Sequence, residues 1–135
     1  MRIKMLDILL DESKRQETSI RNSLVIMLMH MLKCKYQYDY PYKSSWRDSI
    51  LNSFNEFINE FDAVGKGSLY KSFYMKKLDL DHTYQLAVRK AANETHLPIS
   101  AFPDTCEWSR EQLSNLHFID QFLNEYGFGP NEERW

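Results

Sequence analysis

Two histidines and two cysteines have the side-chain types that bind metal ions. His30 and Cys34 are four residues apart, so a helix would place both on one face, as two zinc ligands require. His96 and Cys106 could complete a four-ligand site only if the fold brought all four together. In the opposite interpretation, His30 is a hydrogen-bonded core histidine and both cysteines act as small apolar side chains. We expect the second, with no bound metal, no disulfide and no cofactor.

The same residue types raise the question of catalysis. Cys106 precedes His117 by eleven residues, but no known nucleophile signature surrounds either residue. A small hydrolase or nuclease acting through His30, Glu94 or His96 remains the alternative function. Glu94 has a simpler interpretation, in which it fixes a helix end by pairing with a nearby lysine or arginine. We therefore predict no catalytic residues.

Lys33, Tyr36 and Arg47 could converge near the first corner of the chain, beside Trp46. One interpretation is a pocket for an anion or a carboxylate. The other is a polar cluster that holds the loop "YDYPYKSS" between two helices, and we favour this structural role.

Charge and composition restrict the partners. The formal net charge is −2 and the pI is about 6.1, so a broad basic footprint for nucleic acid or anionic lipid is absent from the sequence. We do not expect direct nucleic-acid binding or membrane binding. The longest apolar run, residues 24–32, is too short to span a bilayer, and the first residues lack the apolar core of a secretory signal. With only two cysteines, the expected location is the cytoplasm.

Acidic and aromatic residues alternate in two segments, "NEFINEFD" and the chain end. The candidate partner-binding residues are Glu56, Glu60, Asp62, Tyr126, Phe128 and Trp135. Aromatic anchors among acidic groups suit a basic protein. The leading hypothesis is a non-enzymatic binding protein, such as an immunity protein or antitoxin that neutralises a basic, nuclease-type toxin. The opposing interpretations are ordinary solvated helix faces with a mobile tail, or a structural oligomer subunit.

Helical periodicity dominates the chain. Apolar residues recur at steps of three and four over 2–38, from Ser44 or Ser45 to about 62, and over 69–95. Ser45 with Asp48 resembles a capping box, and Asp81 is the expected cap of a renewed helix within the third segment.

Two prolines make residues 96–108 an extended connector, because proline is excluded from helix interiors. We expect this strap to bury Phe102 and Trp108, and Ile99 to be covered as well. A capping box of Ser109 and Gln112 begins a short helix, and a last helix ends at Gly127. The prediction is an all-α domain over residues 1–127, a small helical bundle with two or three long helices, followed by a mobile tail over 128–135.

Several motifs together resemble a known bacterial family, the domain of unknown function twenty-nine. They are "LVIMLMHMLKCKYQ" (24–37), "SSWRDSI" (44–50), "AANETHLP" (91–98) and "FPDTCEWSREQL" (102–113). The resemblance covers roughly residues 5–118. It implies a small helical bundle and carries no established activity. This chain departs from the family at Cys34, where tryptophan is common, and continues past the last motif with "DQFLNEYGFGPNEERW".

Overall fold

The computed structural model describes the backbone of residues 2–64 and 79–134, and the side chains of 17–60 and 79–134. All regular elements in these ranges are helices, which confirms the all-α prediction. They are α1 (Arg2–Tyr36), α2 (Ser44–Val64), α3 (Leu80–Thr95), α4 (Arg110–Leu113) and α5 (Leu116–Tyr126), with a 3-10 turn at Ile99–Ala101. None of the described helices has the length and apolar character to cross a bilayer. The predicted start of the third helix, at residue 69, lies outside the described residues.

Helix α1 is the central element, because it packs along both α2 and α3. Its C-terminal half buries side chains on most of its circumference, among them Leu24, Leu28 and Leu32. A fully buried aliphatic side chain contributes about 1.5–3 kcal/mol to folding. Methionines in the same stretch fill the uneven space between two neighbouring helices, as their flexible side chains allow.

The starts of α2 and α3 correct two predicted caps. The amide of Arg47 donates to the Lys43 carbonyl, 3.0 Å away, so Ser45 lies inside the first turn of α2 and is not its N-cap. In α3 the cap is Asp79, whose carboxylate accepts the His82 amide at 3.0 Å. Asp81 instead occupies the first turn, where its negative charge interacts favourably with the positive end of the helix dipole.

The strap between α3 and α4 buries two of the three apolar residues that were expected to be covered. Phe102 and Trp108 are buried, whereas Ile99 is 59% exposed because it belongs to the 3-10 turn on the surface. The hydroxyl of Tyr84 donates to the Pro103 carbonyl at 2.6 Å and fixes the strap to α3. Ser109 and Gln112 form the predicted capping box at the start of α4.

The chain after α5 folds back onto the loop between α1 and α2. Residues 127–129 are buried, and Phe128 is only 8% exposed. Gly129 lies so close to the Pro41 and Tyr40 carbonyls that a Cβ atom would overlap them. This packing differs from the expected mobile tail, because the local polarity of "GFGPNEERW" gives no indication of the loop that receives it.

Candidate functional site

The predicted partner-binding residues occupy different surroundings. Glu56 is exposed, but Glu60 is half-buried and accepts a hydrogen bond from Ser19 Oγ at 2.6 Å, so it ties α2 to α1. Phe128 is covered by the Arg47 guanidinium, whose carbon lies 4.1 Å from the ring centroid. Tyr126 is half-buried. The side chain of Asp62 and the whole of Trp135 lie outside the described residues.

These residues do not form one patch. Arg47, which covers Phe128, and Glu60 lie on the same helix, 13 positions apart, which corresponds to about 20 Å along the axis. The acidic face of α2 around Glu60 and the ring of Phe128 after α5 therefore belong to two separate surfaces. Sequence spacing gave no information on this separation, because it depends on where the chain end docks.

The candidate metal and catalytic residues are poorly suited to either role. Burial, with the charge of Lys33, lowers the pKa of His30 to about 4, so its imidazole is a weak base at neutral pH. Its Nδ1 atom is buried and has no hydrogen-bond partner among the described residues, which differs from the satisfied core histidine that we expected. His96 is an exposed residue in the left-handed region, with φ 59°, at the end of α3.

The cysteine thiols are also disfavoured as ligands or nucleophiles. Burial raises the pKa of the Cys34 thiol to about 12 and raises that of Cys106 as well. The thiolate, which binds metals and attacks substrates, is therefore scarce at neutral pH. Both cysteines are free, and the described residues contain no group of three or more potential metal ligands.

Lys33, Tyr36 and Arg47 do not share an anion pocket, because each has an acidic partner of its own. Lys33 Nζ lies 3.7 Å from Glu94, and the Tyr36 hydroxyl donates to Glu107 at 2.9 Å. Arg47 pairs with Glu132 at 3.2 Å. Three carboxylates from three different segments thus hold this corner of the bundle together.

Lys43 lies at the centre of that corner and is only 2% exposed. Its ammonium group donates to the carbonyls of Cys34 at 2.7 Å and Tyr126 at 3.2 Å. Burial lowers the pKa of Lys43. Lys43 therefore joins the end of α1 to the end of α5, a role that its sequence context did not indicate.

Glu132 completes this junction from the chain end. Its carboxylate accepts the amides of Lys43 and Gly129 and the guanidinium of Arg47. Partial burial acts to raise the pKa of Glu132, but these hydrogen bonds and the charge of Arg47 outweigh it and lower the pKa below its usual value of 4.5. The carboxylate is thus held ionised where the chain end meets α2.

An open cleft of about 380 Å³ lies beside this junction, between the end of α1, the strap, α4 and α5. We call it the acid–aromatic cleft. Its apolar wall includes Trp108, Phe122 and Tyr126; the Trp108 and Phe122 rings meet edge to face at 5.4 Å. Its polar groups include the carboxylates of Glu107 and Glu125. A volume near the lower end of the range for ligand pockets suits one side chain or a small ligand.

Lys35 is the one cation in the lining of the acid–aromatic cleft. Its ammonium forms an ion pair with Glu107 and lies 5.2 Å from the Tyr126 ring centroid and 6.0 Å from that of Trp108. The carboxylate of Glu125, in contrast, has no hydrogen-bond or ion-pair partner among the described residues. At neutral pH the lining carries one positive and two negative charges.

The sequence analysis predicted a partner-binding role for Tyr126 and a core position for Trp108, but it missed the cleft that both residues line. Lys35 and Glu107 are 72 residues apart, and neither lies in a recognisable motif. The available signal was that aromatic residues stand next to or near carboxylates in the last third of the chain, as in "CEWSRE" and "FLNEY".

The fold and the cleft together define a small all-α protein with an acidic, aromatic surface site. The chain belongs to the family described as domain of unknown function DUF29, whose model matches residues 5–119. The α5 residues that line the cleft beyond this range are Gln121, Phe122, Glu125 and Tyr126. Comparisons with curated proteins and with solved structures found no match.

Proposed function

We propose that this protein is a non-enzymatic, cytoplasmic binding protein that neutralises a basic protein partner, as an immunity protein or antitoxin neutralises a nuclease-type toxin. The observation that carries the proposal is the acid–aromatic cleft, where the Glu125 carboxylate, unpaired within the described ranges, lies in one lining with the rings of Trp108 and Tyr126. Buried aromatic anchors supply most of the binding energy in protein interfaces, and acidic groups select a basic partner.

The overall charge supports the same class of partner. A nuclease cleft is basic because it must hold phosphates, and a protein with a net charge of −2 and clustered carboxylates can occupy such a cleft electrostatically. The acid–aromatic cleft provides the local site, and the exposed Glu56 on α2 can add attraction at longer range.

The catalytic alternative has weaker support. His30 lies within electrostatic reach of Lys33 and Glu94, which gives a cluster of titratable groups in one place. However, a general base is most efficient when its pKa lies near the operating pH. An imidazole with a pKa near 4 is therefore poorly matched to general-base catalysis at neutral pH. Glu94 is already engaged by Lys33.

The test is binding of a purified basic partner. Proteins retained from a bacterial lysate on the immobilised chain are identified, and a stoichiometric basic protein is then purified and titrated at several salt concentrations. We expect affinity to fall as salt rises, and we expect Glu125→Lys to weaken binding by about tenfold or more because it places a like charge against the partner.

Asp120→Lys is the matched control, because it makes the same change of charge at an exposed acid of the same helix that does not line the cleft. We expect it to leave the affinity nearly unchanged. Binding that ignores salt, or that responds equally to both variants, would contradict the proposal. So would a partner of acidic character. If the partner is a nuclease, its activity should fall to zero at one equivalent of this protein.

A further inference from the structure

The ammonium group of Lys35 lies in surroundings that a protein uses to bind a cationic ligand. One carboxylate, Glu107, pairs with it directly. Three ring centroids surround it, those of Tyr126 at 5.2 Å, Tyr36 at 5.6 Å and Trp108 at 6.0 Å. Ring faces within about 6 Å attract an ammonium ion, and groups of such rings recognise lysine and its methylated forms.

From this geometry we infer that the acid–aromatic cleft binds the ammonium group of a lysine side chain presented by a protein partner, and that Lys35 fills this position in the unbound protein. The inference deepens the proposed function by naming the ligand that the cleft takes. It rests on that proposal only for the origin of the lysine, since the site can be tested with small ammonium compounds.

Three features of the cleft favour exchange of Lys35 for a guest. The Lys35 side chain extends from the last turn of α1 and remains partly exposed, so it can move into water without disturbing the core. An ion pair of this kind is weakly stabilising. The volume of about 380 Å³ next to it is open to solvent, which gives a guest side chain a route to the rings.

Charge favours a cation over an anion as the guest. With two carboxylates and one ammonium in the lining, a second cation balances the charge, whereas an anion would add to the excess. The Glu125 carboxylate, to which no described residue is paired, can pair with the guest or receive the displaced Lys35. A trimethylated lysine should bind more tightly than lysine itself, because it loses less hydration when it enters the rings.

The experiment removes Lys35, the side chain that fills the ammonium site in the unbound protein. Wild-type protein and Lys35→Met are titrated with N-acetyl-lysine methylamide and its trimethylated form, and binding is followed by NMR shifts of the indole N–H groups and the Lys35 ammonium. We expect the variant to bind each compound about tenfold more tightly than the wild type, because the guest no longer competes with Lys35. Adding Glu107→Gln to the variant should remove most of that gain.

Two controls keep the test specific. Lys90→Met removes an exposed lysine on α3 and should not change binding. The norleucine derivative, which matches the stem of lysine without its charge, should not bind. Equal affinity of wild type and Lys35→Met, or binding of the norleucine derivative, would overturn the inference. If Lys35→Met does not fold, loss of the Lys35–Glu107 contact on addition of trimethyl-lysine to wild type provides the same test.

The outcomes also separate this inference from the proposed function. If a basic partner binds but neither the wild type nor Lys35→Met binds the ammonium compounds, the neutralising role stands and the lysine site is rejected. If the cleft binds the ammonium compounds but no basic partner is found, the lysine site stands and the neutralising role is rejected.

Discussion

Lys35 and Lys43 show how surroundings give one residue type two roles. Lys43 is enclosed and donates to two backbone carbonyls, so its contribution is to hold α1 and α5 together. Lys35 lies in an open cleft, where a carboxylate and aromatic rings attract its charge. Because buried backbone acceptors need partners, the Lys43 position is structurally constrained, whereas the Lys35 position is open to competition by a ligand.

At the residue scale we predict that His30 makes stability depend on pH. Its folded pKa of about 4 lies below the usual 6.5, so the unfolded chain binds a proton that the folded chain does not. The associated stability is complete above pH 6.5 and is lost as the pH falls towards 4. The ring is only partly buried and is screened by solvent, so the loss is about 1–2 kcal/mol.

Replacement of His30 by Met should remove that component of the pH dependence, as measured by denaturant unfolding at pH 7 and pH 4.5. Near pH 7 the variant should be as stable as the wild type or more so, because it eliminates a buried nitrogen that has no partner in the described part of the chain. His117→Gln, which changes an exposed histidine, serves as the control. An unchanged pH profile for His30→Met would contradict the assignment.

At the element scale, two neighbouring acids at the start of α3 have different roles. Asp79→Ala removes the side-chain acceptor of the His82 amide and should cost about 0.5–2 kcal/mol. Asp81→Ala removes only a first-turn charge and should cost about 0.3–1 kcal/mol. Urea unfolding of the two variants measures the difference. A loss below about 0.5 kcal/mol for Asp79→Ala would mean that the Asp79 cap is not formed in solution.

The strap between α3 and α4 depends on its buried aromatic residues. Trp108→Ala should destabilise the fold by about 3–5 kcal/mol, because the indole is buried against Phe122 and its loss leaves a cavity. Ile99→Ala, at an exposed position of the same strap, should change stability by less than about 0.5 kcal/mol. Thermal unfolding that shows no change for Trp108→Ala would show that the strap does not support the core.

The docking of the segment after α5 against the loop between α1 and α2 can be tested by adding one methyl group. Gly129→Ala forces a methyl group against the Pro41 and Tyr40 carbonyls, so the chain end must shift and its hydrogen bonds through Glu132 must weaken. We expect a loss of about 1–3 kcal/mol and faster hydrogen exchange at the Lys43 amide. Asn131→Ala, at an exposed neighbouring position, is the control. Slow exchange in both variants would argue against this docking.

At the scale of the whole molecule, Glu56 is an exposed acid of α2 outside the lining of the acid–aromatic cleft, so a partner's binding has two contributions. Aromatic contacts in the cleft should set the dissociation rate, and the remote acid should act mainly by attraction over distance.

Glu56→Lys should therefore slow association several-fold at low salt and leave dissociation nearly unchanged, as stopped-flow measurements with the purified partner can show. Glu60 is not a suitable second position, because it bonds to Ser19 and its replacement would disturb the packing of α1 against α2. A faster dissociation rate for Glu56→Lys would place the acidic face of α2 inside the interface.

The sequence by itself determined the helical class, the family resemblance, the burial of Phe102 and Trp108, and the Ser109 capping box. These features follow from contacts between residues a few positions apart: helical hydrogen bonds, caps and apolar periodicity are local, and prolines end helices wherever they stand. The choice between Asp79 and Asp81 as cap was already at the limit of such reasoning, because both acids stand near the helix start.

Only the tertiary structure decided the junction around Lys43 and the acid–aromatic cleft. Lys43 and Glu132 are 89 residues apart, and Lys35 and Glu107 are 72 apart. Such pairs depend on how whole helices pack and on which loop receives the chain end. A lysine has the same local pattern whether it becomes enclosed or stays in an open cleft. The physical reason is that burial, which sets the energy of a charge, is a property of the assembled bundle and not of any segment.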